Sequence, residues 1–293
     1  MKYLYYPGCS LKSTGKPYEE SLKAVFSRLE IPLEELHDWN CCGATAYMSV
    51  DEVKSFALSA RNLALAEKQG EPAHNGHVQL VAPCSACYSL SLKTQRYLSE
   101  NEDIRKKVER GLADASLTYE GKVDVRHPLD VLVNDIGIER IKEAVKAPLG
   151  GNVACYYGCQ IVRPYSTFDD QADPKTLDAL MEAVGATPID WAMKTRCCGA
   201  SLTGTIREVG FRLGYLILKE ATKKGADALA TTCPLCQFDL ECFQSDLTAT
   251  FGQAIHMPVV YFTQLVGLAL GIPESSLGMQ RLFVPYKKAS IGG

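Results

Sequence analysis

The sequence predicts an α/β fold made twice over: two lobes, about 1–147 and 148–293, related by a pseudo-twofold axis. Each lobe is expected to hold a small, mostly parallel sheet flanked by helices, with its site at the strand ends facing a shared cleft. Three observations predict this. Ten of the twelve cysteines fall into two sets of one order: a lone Cys, a Cys-Cys-Gly, then a Cys-x-x-Cys. The flanks repeat with them, LYYPGCS answering CYYGCQ, CCGATA answering CCGASL, and LVAPCSAC answering LATTCPLC. Between the motifs, strand-like runs alternate with helical periodicities, the pattern of parallel strands joined by crossover helices.

The first strand is expected at 2–6, just ahead of Cys9, and its counterpart at 152–157, ahead of Cys159. After Cys9, Leu22, Val25, Phe26 and Leu29 recur at i, i+3, i+4 and i+7, the spacing of a helix buried along one face. Leu177, Leu180, Met181 and Val184 repeat that spacing, with Asp173-Pro174 as N-cap and first turn and Gly185 as the stop. Past Cys41-Cys42-Gly43, a second helix is read from Val53, Phe56, Ala57, Ala60, Leu63 and Ala64. Past Cys197-Cys198-Gly199, its counterpart is read from Ile206, Val209, Leu213, Leu216 and Ile217. HVQLVAP (77–83) and DALATT (227–232) read as strands leading to Cys84-x-x-Cys87 and Cys233-x-x-Cys236, and helices follow both. Open α/β sheets place ligand sites at such carboxyl ends of strands. Pro148-Leu149-Gly150-Gly151 reads as a linker. The first half has 41 residues between Cys42 and Cys84, against 34 between Cys198 and Cys233. The surplus is assigned to a surface loop, EKQGEPAHNG (67–76), where His74 and the adjoining His77 are solvated.

A chain of 293 residues, 46% hydrophobic, can bury a sizeable core. Its net charge of -3 argues against nucleic acid as a partner. MKYLYYPGCS is not a secretory signal. The longest apolar-rich stretch, PVVYFTQLVGLALG (258–271), contains Thr263 and Gln264 and falls short of the roughly 18 to 20 residues a membrane span needs. A cytoplasmic protein with no transmembrane segment is expected.

In a reducing compartment, this many thiols point to metal and not to disulfides. Adjacent cysteines such as Cys41 and Cys42 also cannot pair without severe strain. Fe–S clusters and structural zinc each take about four protein ligands, and each half offers five thiols. Either four bind a cubane cluster or zinc and the fifth is spare, or all five bind a cluster that is not a cube. Neighbouring side chains of an extended segment point to opposite sides, which favours a group with several separate binding points. Gly43 and Gly199 suit a tight turn, or close approach of backbone to a bulky inorganic group. A thioredoxin-like dithiol explains a Cys-x-x-Cys but leaves the other three cysteines of each set without a role. Cys155 and Cys242 lie outside the repeat and read as small buried hydrophobes.

With these residues in place, the chain resembles the B subunit of heterodisulfide reductase, in the cysteine-rich CCG-domain family, over essentially its whole length. The resemblance implies a non-cubane 4Fe-4S cluster in each lobe, flanking a cleft where a disulfide is split in two one-electron steps. In methanogenic archaea that disulfide joins coenzyme M and coenzyme B. The first cluster would use Cys9, Cys41, Cys42, Cys84 and Cys87, and the second Cys159, Cys197, Cys198, Cys233 and Cys236. The wider first-half spacing departs from the methanogenic pattern and leaves zinc open in the N-terminal lobe. Related subunits also serve electron-bifurcating, sulfur-oxidising and fumarate or succinate complexes.

Three function classes follow: a catalytic disulfide reductase or thiol oxidant, an electron relay, and a structural zinc protein. No GxGxxG or P-loop is present, so electrons are expected from outside. The implied partners are a ferredoxin-like Fe-S subunit and a flavoprotein, with a small-molecule or protein-bound disulfide or thiol as substrate. His127 and His256 read as core histidines; Lys194, Arg196 and Arg163 as solvated charges near the second set. The tail, RLFVPYKKASIGG (281–293), is a candidate docking segment or a frayed terminus.

Overall fold

Among the described residues each half of the chain has four short strands, and the central ones, rich in Tyr, Val, Leu and Ala, are buried on both faces as parallel strands are. In the first half these are β1 (Tyr3–Tyr5), β2 (Leu33–Glu35), β3 (Val78–Val81) and β4 (Val123–Arg126). They form an all-parallel sheet in the order β2-β1-β3-β4. In the second half, β5 (Asn152–Tyr156), β6 (Thr187–Pro188), β7 (Ala228–Thr231) and β8 (Val259–Tyr261) form another, in the order β6-β5-β7-β8. The repetition holds to the residue. Tyr5 opposes Val81 just as Cys155 opposes Ala230, at equal distances from the cysteines that follow. The structure, a computed structural model, describes residues 2–44 and 46–287.

Helices cover both sheets. The first half contributes α1 (Gly8–Leu11), α2 (Lys16–Arg28), α3 (Ala46–Val50), α4 (Glu52–Gln69), α5 (Ser85–Glu100) and α6 (Glu102–Asp114). After β4 come α7 (Pro128–Asp130), a π-helical stretch and α8 (Ile138–Ala144). The second half contributes α9 (Thr176–Ala183), α10 (Ala200–Thr203) and α11 (Arg207–Lys223). It closes with α12 (Pro234–Cys242), α13 (Gln244–Phe251) and α14 (Phe262–Ala269).

The predicted faces of α2 and α9 are buried: Leu22, Val25, Leu177, Leu180 and Met181 have no exposed surface. Two local expectations are corrected. Asp173 is not the N-cap of α9; the helix starts after Lys175, and the Asp169 carboxylate accepts from the amides of Lys175 (2.9 Å) and Thr176 (2.8 Å). A side chain reaching back from the preceding loop satisfies those orphan donors. In α11 the buried face differs from the expected stripe. Of the expected residues Ile217 is buried and Leu213 half-buried, but Ile206, just ahead of the helix, Val209 and Leu216 are exposed, while Phe211, Tyr215, Leu218 and Ala221 pack inward. Apolar residues occupy both faces there, and the bulkier aromatic pair takes the core.

The lobes share one interior. α2 of the first half packs on α14 of the second, and α9 packs on α8 in the reciprocal arrangement. At the first contact, Tyr18 stacks on Tyr261 with centroids 4.5 Å apart, and Ser21 Oγ lies 2.7 Å from Thr263 Oγ1. The Pro148–Gly151 segment is pinned, Leu149 and Gly150 donating to the carbonyls of Val184 and Gly185. Part of the surplus first-half length is the loop before β3, where His74 is exposed and His77 Nδ1 lies 2.8 Å from Asp124 Oδ1.

Candidate metal centre

All ten repeated cysteines gather where the strands end. Cys84 caps α5 and Cys87 lies in its first turn; Cys233 and Cys236 hold the same places on α12. Cys9 sits in α1 beyond β1, and both Cys-Cys pairs occupy the turns ahead of α3 and α10. Within the first set, Cys9 Sγ is 3.5 Å from Cys41 Sγ, and Cys42 Sγ is 3.2 Å from Cys87 Sγ. In the second, Cys198 Sγ is 3.4 Å from Cys236 Sγ. Cys42 neighbours Cys41 and Cys84 neighbours Cys87, and across the lobe boundary Cys84 lies beside Cys233. In the second set Cys233 neighbours Cys236, and Cys197 lies between Cys198 and Cys159. Taken in this order the ten sulfurs make one row of neighbours, palindromic about Cys84 and Cys233. Cys9, Cys41 and Cys197 are exposed towards its two ends, whereas Cys84, Cys87, Cys233 and Cys236 are buried.

Protons are shared unevenly along the row. Hydrogen bonds from Cys42 and Cys9 lower the Cys41 thiol to about 2, and those of Cys159 and Cys198 do the same for Cys197. The partner Cys42 is pushed up to about 11, first by its bond to Cys41. Binding a metal group at these thiols would release their protons.

This donor set fits a group with several metal centres. It offers five soft sulfurs per lobe. The backbone leaves room beside the sulfurs: a Cβ at Gly8 would come within 3.0 Å of Cys87 Sγ, and one at Gly158 within 3.3 Å of Cys236 Sγ. The glycine after each Cys-Cys pair has another reason. Gly43 (φ 81°) and Gly199 (φ 96°) occupy the left-handed region, and a Cβ at Gly199 would meet the Gly210 backbone at 2.8 Å. The tight-turn expectation stands, and the close neighbour of Gly199 is the helix α11.

Two tyrosines not anticipated from the sequence support the sites. Tyr6 Oη donates to the Asn40 carbonyl (2.8 Å), and Tyr156 Oη to the Arg196 carbonyl (2.6 Å), each the residue just before a Cys-Cys pair. Both tyrosines are buried among the thiols of their own set. The chain's two tryptophans pack on them, Trp39 on Tyr6 at 5.8 Å and Trp191 on Tyr156 at 6.2 Å. The repeated Tyr-Tyr ahead of each lone cysteine is the signal that points to them.

His127 is the buried, backbone-bonded histidine expected. Its Nε2 lies 3.0 Å from the Pro83 carbonyl and 3.3 Å from that of Thr232, the residues ahead of Cys84 and Cys233, while Nδ1 accepts from Leu129. Burial lowers its pKa to about 4, so at neutral pH it is an uncharged latch between lobes. His256 is not its counterpart. His256 is exposed, and the register pairs His127 with Tyr261, each capping the helix after an outer strand.

Cys155 is buried among Asp178, Lys194 and Glu182, apart from the row of ten, and Cys242 is half-exposed at the end of α12. Lys194 is not solvated: its ammonium bonds Asp178 at 2.7 Å, while its carbonyl accepts from Tyr157 and Gly158. Arg163 bonds the Thr195 carbonyl, and Arg196 is exposed beside Cys197. The tail is docked through its described part. Arg281 pairs with Glu20 of α2 (3.0 Å), and the Val284 amide donates to Glu241 of α12 (3.2 Å), strapping one lobe to the other. Residues 288–293 lie outside the described residues.

A family model described as a cysteine-rich domain, CCG, matches residues 3–90 and again 153–241. The chain is 31% identical over 290 residues to the 8-methylmenaquinol:fumarate reductase membrane anchor subunit of Wolinella succinogenes, covering 98% of each chain. It is 31% identical to a protein of Archaeoglobus profundus described as like the B subunit of heterodisulfide reductase, covering 95% of this chain and 94% of that one. To the B subunit of the ferredoxin:CoB-CoM heterodisulfide reductase of Methanosarcina mazei it is 28% identical, over 94% and 91%. Among solved structures, a hypothetical protein from Helicobacter pylori shares the fold with a TM-score of 0.77 at 16% identity. That match covers 98% of this chain, which spans about half (52%) of the other's length. Among the described residues no helix is long and apolar enough to cross a membrane.

Proposed function

We propose that this chain, which belongs to the cysteine-rich CCG-domain family together with heterodisulfide reductase B subunits, is the disulfide-handling subunit of an oxidoreductase complex. The observation that carries the reading is the gathering of ten thiols at the strand ends, one five-membered set per lobe, with Cys84 and Cys233 nearest the lobe boundary. Cys9, Cys41, Cys42, Cys84 and Cys87 would hold one 4Fe-4S cluster of non-cubane form, and Cys159, Cys197, Cys198, Cys233 and Cys236 the other. When bound, such clusters supply single electrons at two adjacent points, which is what opening one S–S bond requires. The protein's own part is positional. Tyr6 and Tyr156 fix the Cys-Cys turns, the N-termini of α5 and α12 face the buried thiols, and His127 ties the two Cys-x-x-Cys loops together.

The division near residues 147 and 148 follows the repeat. A ferredoxin-like Fe-S subunit and a flavoprotein would bring the electrons, and the reading places the complex in the cytoplasm, where thiols stay reduced. A second reading rests on the Wolinella succinogenes relative: a relay of electrons within a fumarate-reducing complex. Cluster-loaded protein with an artificial donor separates the two. Reduction of a disulfide, with a paramagnetic state on adding the product thiol, supports the first. Electron passage without either result supports the second.

A further inference from the structure

At the junction of the two thiol sets lies a phenol with no bonding partner. Tyr18, in the first turn of α2, is wholly buried, and its hydroxyl has no hydrogen-bond partner among the described residues. Tyr5 shares that condition, but the charges acting on Tyr5 are Glu19 and Glu35. Those acting most on Tyr18 are Cys233, Tyr261 and Cys84, the two thiols at the lobe boundary and the ring stacked on it. The stack at 4.5 Å, the edge contact with Phe262 and the Ser21–Thr263 bond fix where the Tyr18 ring sits. Tyr261 is different, because its hydroxyl already donates to Gln237 Oε1 at 3.3 Å. Tyr18 is thus a buried donor whose acceptor is missing from the protein.

We propose that the Tyr18 hydroxyl donates a hydrogen bond to sulfur where the two sets meet, and is a positioning residue that sets the reduction potential there. The acceptor is a sulfide of the group that Cys84 and Cys233 would hold, because neither thiol accepts from the hydroxyl in the protein itself. The inference rests on the cluster-binding reading above. It also makes the two sites unlike. The repeat puts an exposed residue, Asp173, at the place corresponding to Tyr18, so one donor serves a junction between otherwise matched sets. A hydrogen bond to sulfur stabilises the more negative, reduced state and raises the potential.

The test is Tyr18→Phe, which keeps the stacked ring, in anaerobically reconstituted protein followed by an electron paramagnetic resonance redox titration. One potential should fall by about tenfold in its equilibrium constant, ~59 mV for one electron. An exchangeable-deuteron coupling to the cluster spin should vanish with it, and should persist in Tyr261→Phe. In the metal-free protein, Tyr18→Phe should be no less stable than the parent, because the hydroxyl has no partner there. Unchanged potentials with the coupling retained, at full iron content, overturn this inference alone. So does equal destabilisation of the metal-free and loaded forms. Protein that takes up neither iron nor sulfide overturns this inference and the functional reading together.

Discussion

Removing one oxygen beneath each site tests whether Tyr6 and Tyr156 hold the Cys-Cys turns. Both rings are buried, and each donates to the carbonyl that precedes a pair. The two carbonyls differ in their remaining partners. Asn40 O keeps a second donor, Asn62 Nδ2 at 2.9 Å, whereas among the described residues no second protein donor reaches Arg196 O. Tyr6→Phe should therefore cost about 0.5–1.5 kcal/mol, the net worth of one hydrogen bond. Tyr156→Phe should cost roughly 1–3 kcal/mol, because an acceptor is left unmatched. At about 2–4 °C per kcal/mol for a chain of this class, the second variant melts several degrees lower. Thermal unfolding of the metal-free forms, with iron and sulfide analysis of the loaded ones, reads both effects. The second site should lose occupancy first. Equal costs, or a larger cost for Tyr6→Phe, would refute the reasoning.

Three further outcomes are expected. His127 is held neutral, its pKa lowered by burial from 6.5 to about 4, so its contribution is complete above the unfolded value and is lost as pH falls toward the folded one. Between pH 7 and 5 that amounts to about 2 kcal/mol, and His127→Gln should remove this part of the acid sensitivity in urea unfolding. Gly199→Ala forces a Cβ to within 2.8 Å of the Gly210 backbone at φ 96°, while at Gly43 the nearest atom is the end of the Leu58 side chain at 3.0 Å. The first should cost roughly 1–3 kcal/mol and exceed Gly43→Ala, as chemical denaturation will show. Both tryptophans pack on site tyrosines, so cluster loading should quench the fluorescence of both Trp39 and Trp191, and single Trp→Phe variants resolve the lobes.

The repeat makes much of the molecule legible, because ligand cysteines, their glycines and the buried helix stripes are all local signals. Strands ahead of the lone cysteines and the Cys-x-x-Cys pairs are readable as short apolar runs. The outer strands are not. Leu33–Glu35 and Thr187–Pro188 are too short and polar to show a period, and they become strands only by pairing with β1 and β5. The buried face of α11 is ambiguous in the sequence because apolar residues lie on both its sides. The nearness of Cys84 to Cys233, 149 positions apart in the numbering, depends on how α2 and α14 bring the lobes together, which no local pattern encodes. The orphan hydroxyl of Tyr18 is invisible for the same reason.

Metal and sulfide analysis of anaerobically reconstituted protein, alongside Cys41→Ser and Cys197→Ser, tests the central claim most directly. The account predicts iron with matching acid-labile sulfide in both lobes, each variant losing the share of its own lobe. Stoichiometric zinc without sulfide, or iron content indifferent to both substitutions, would contradict it.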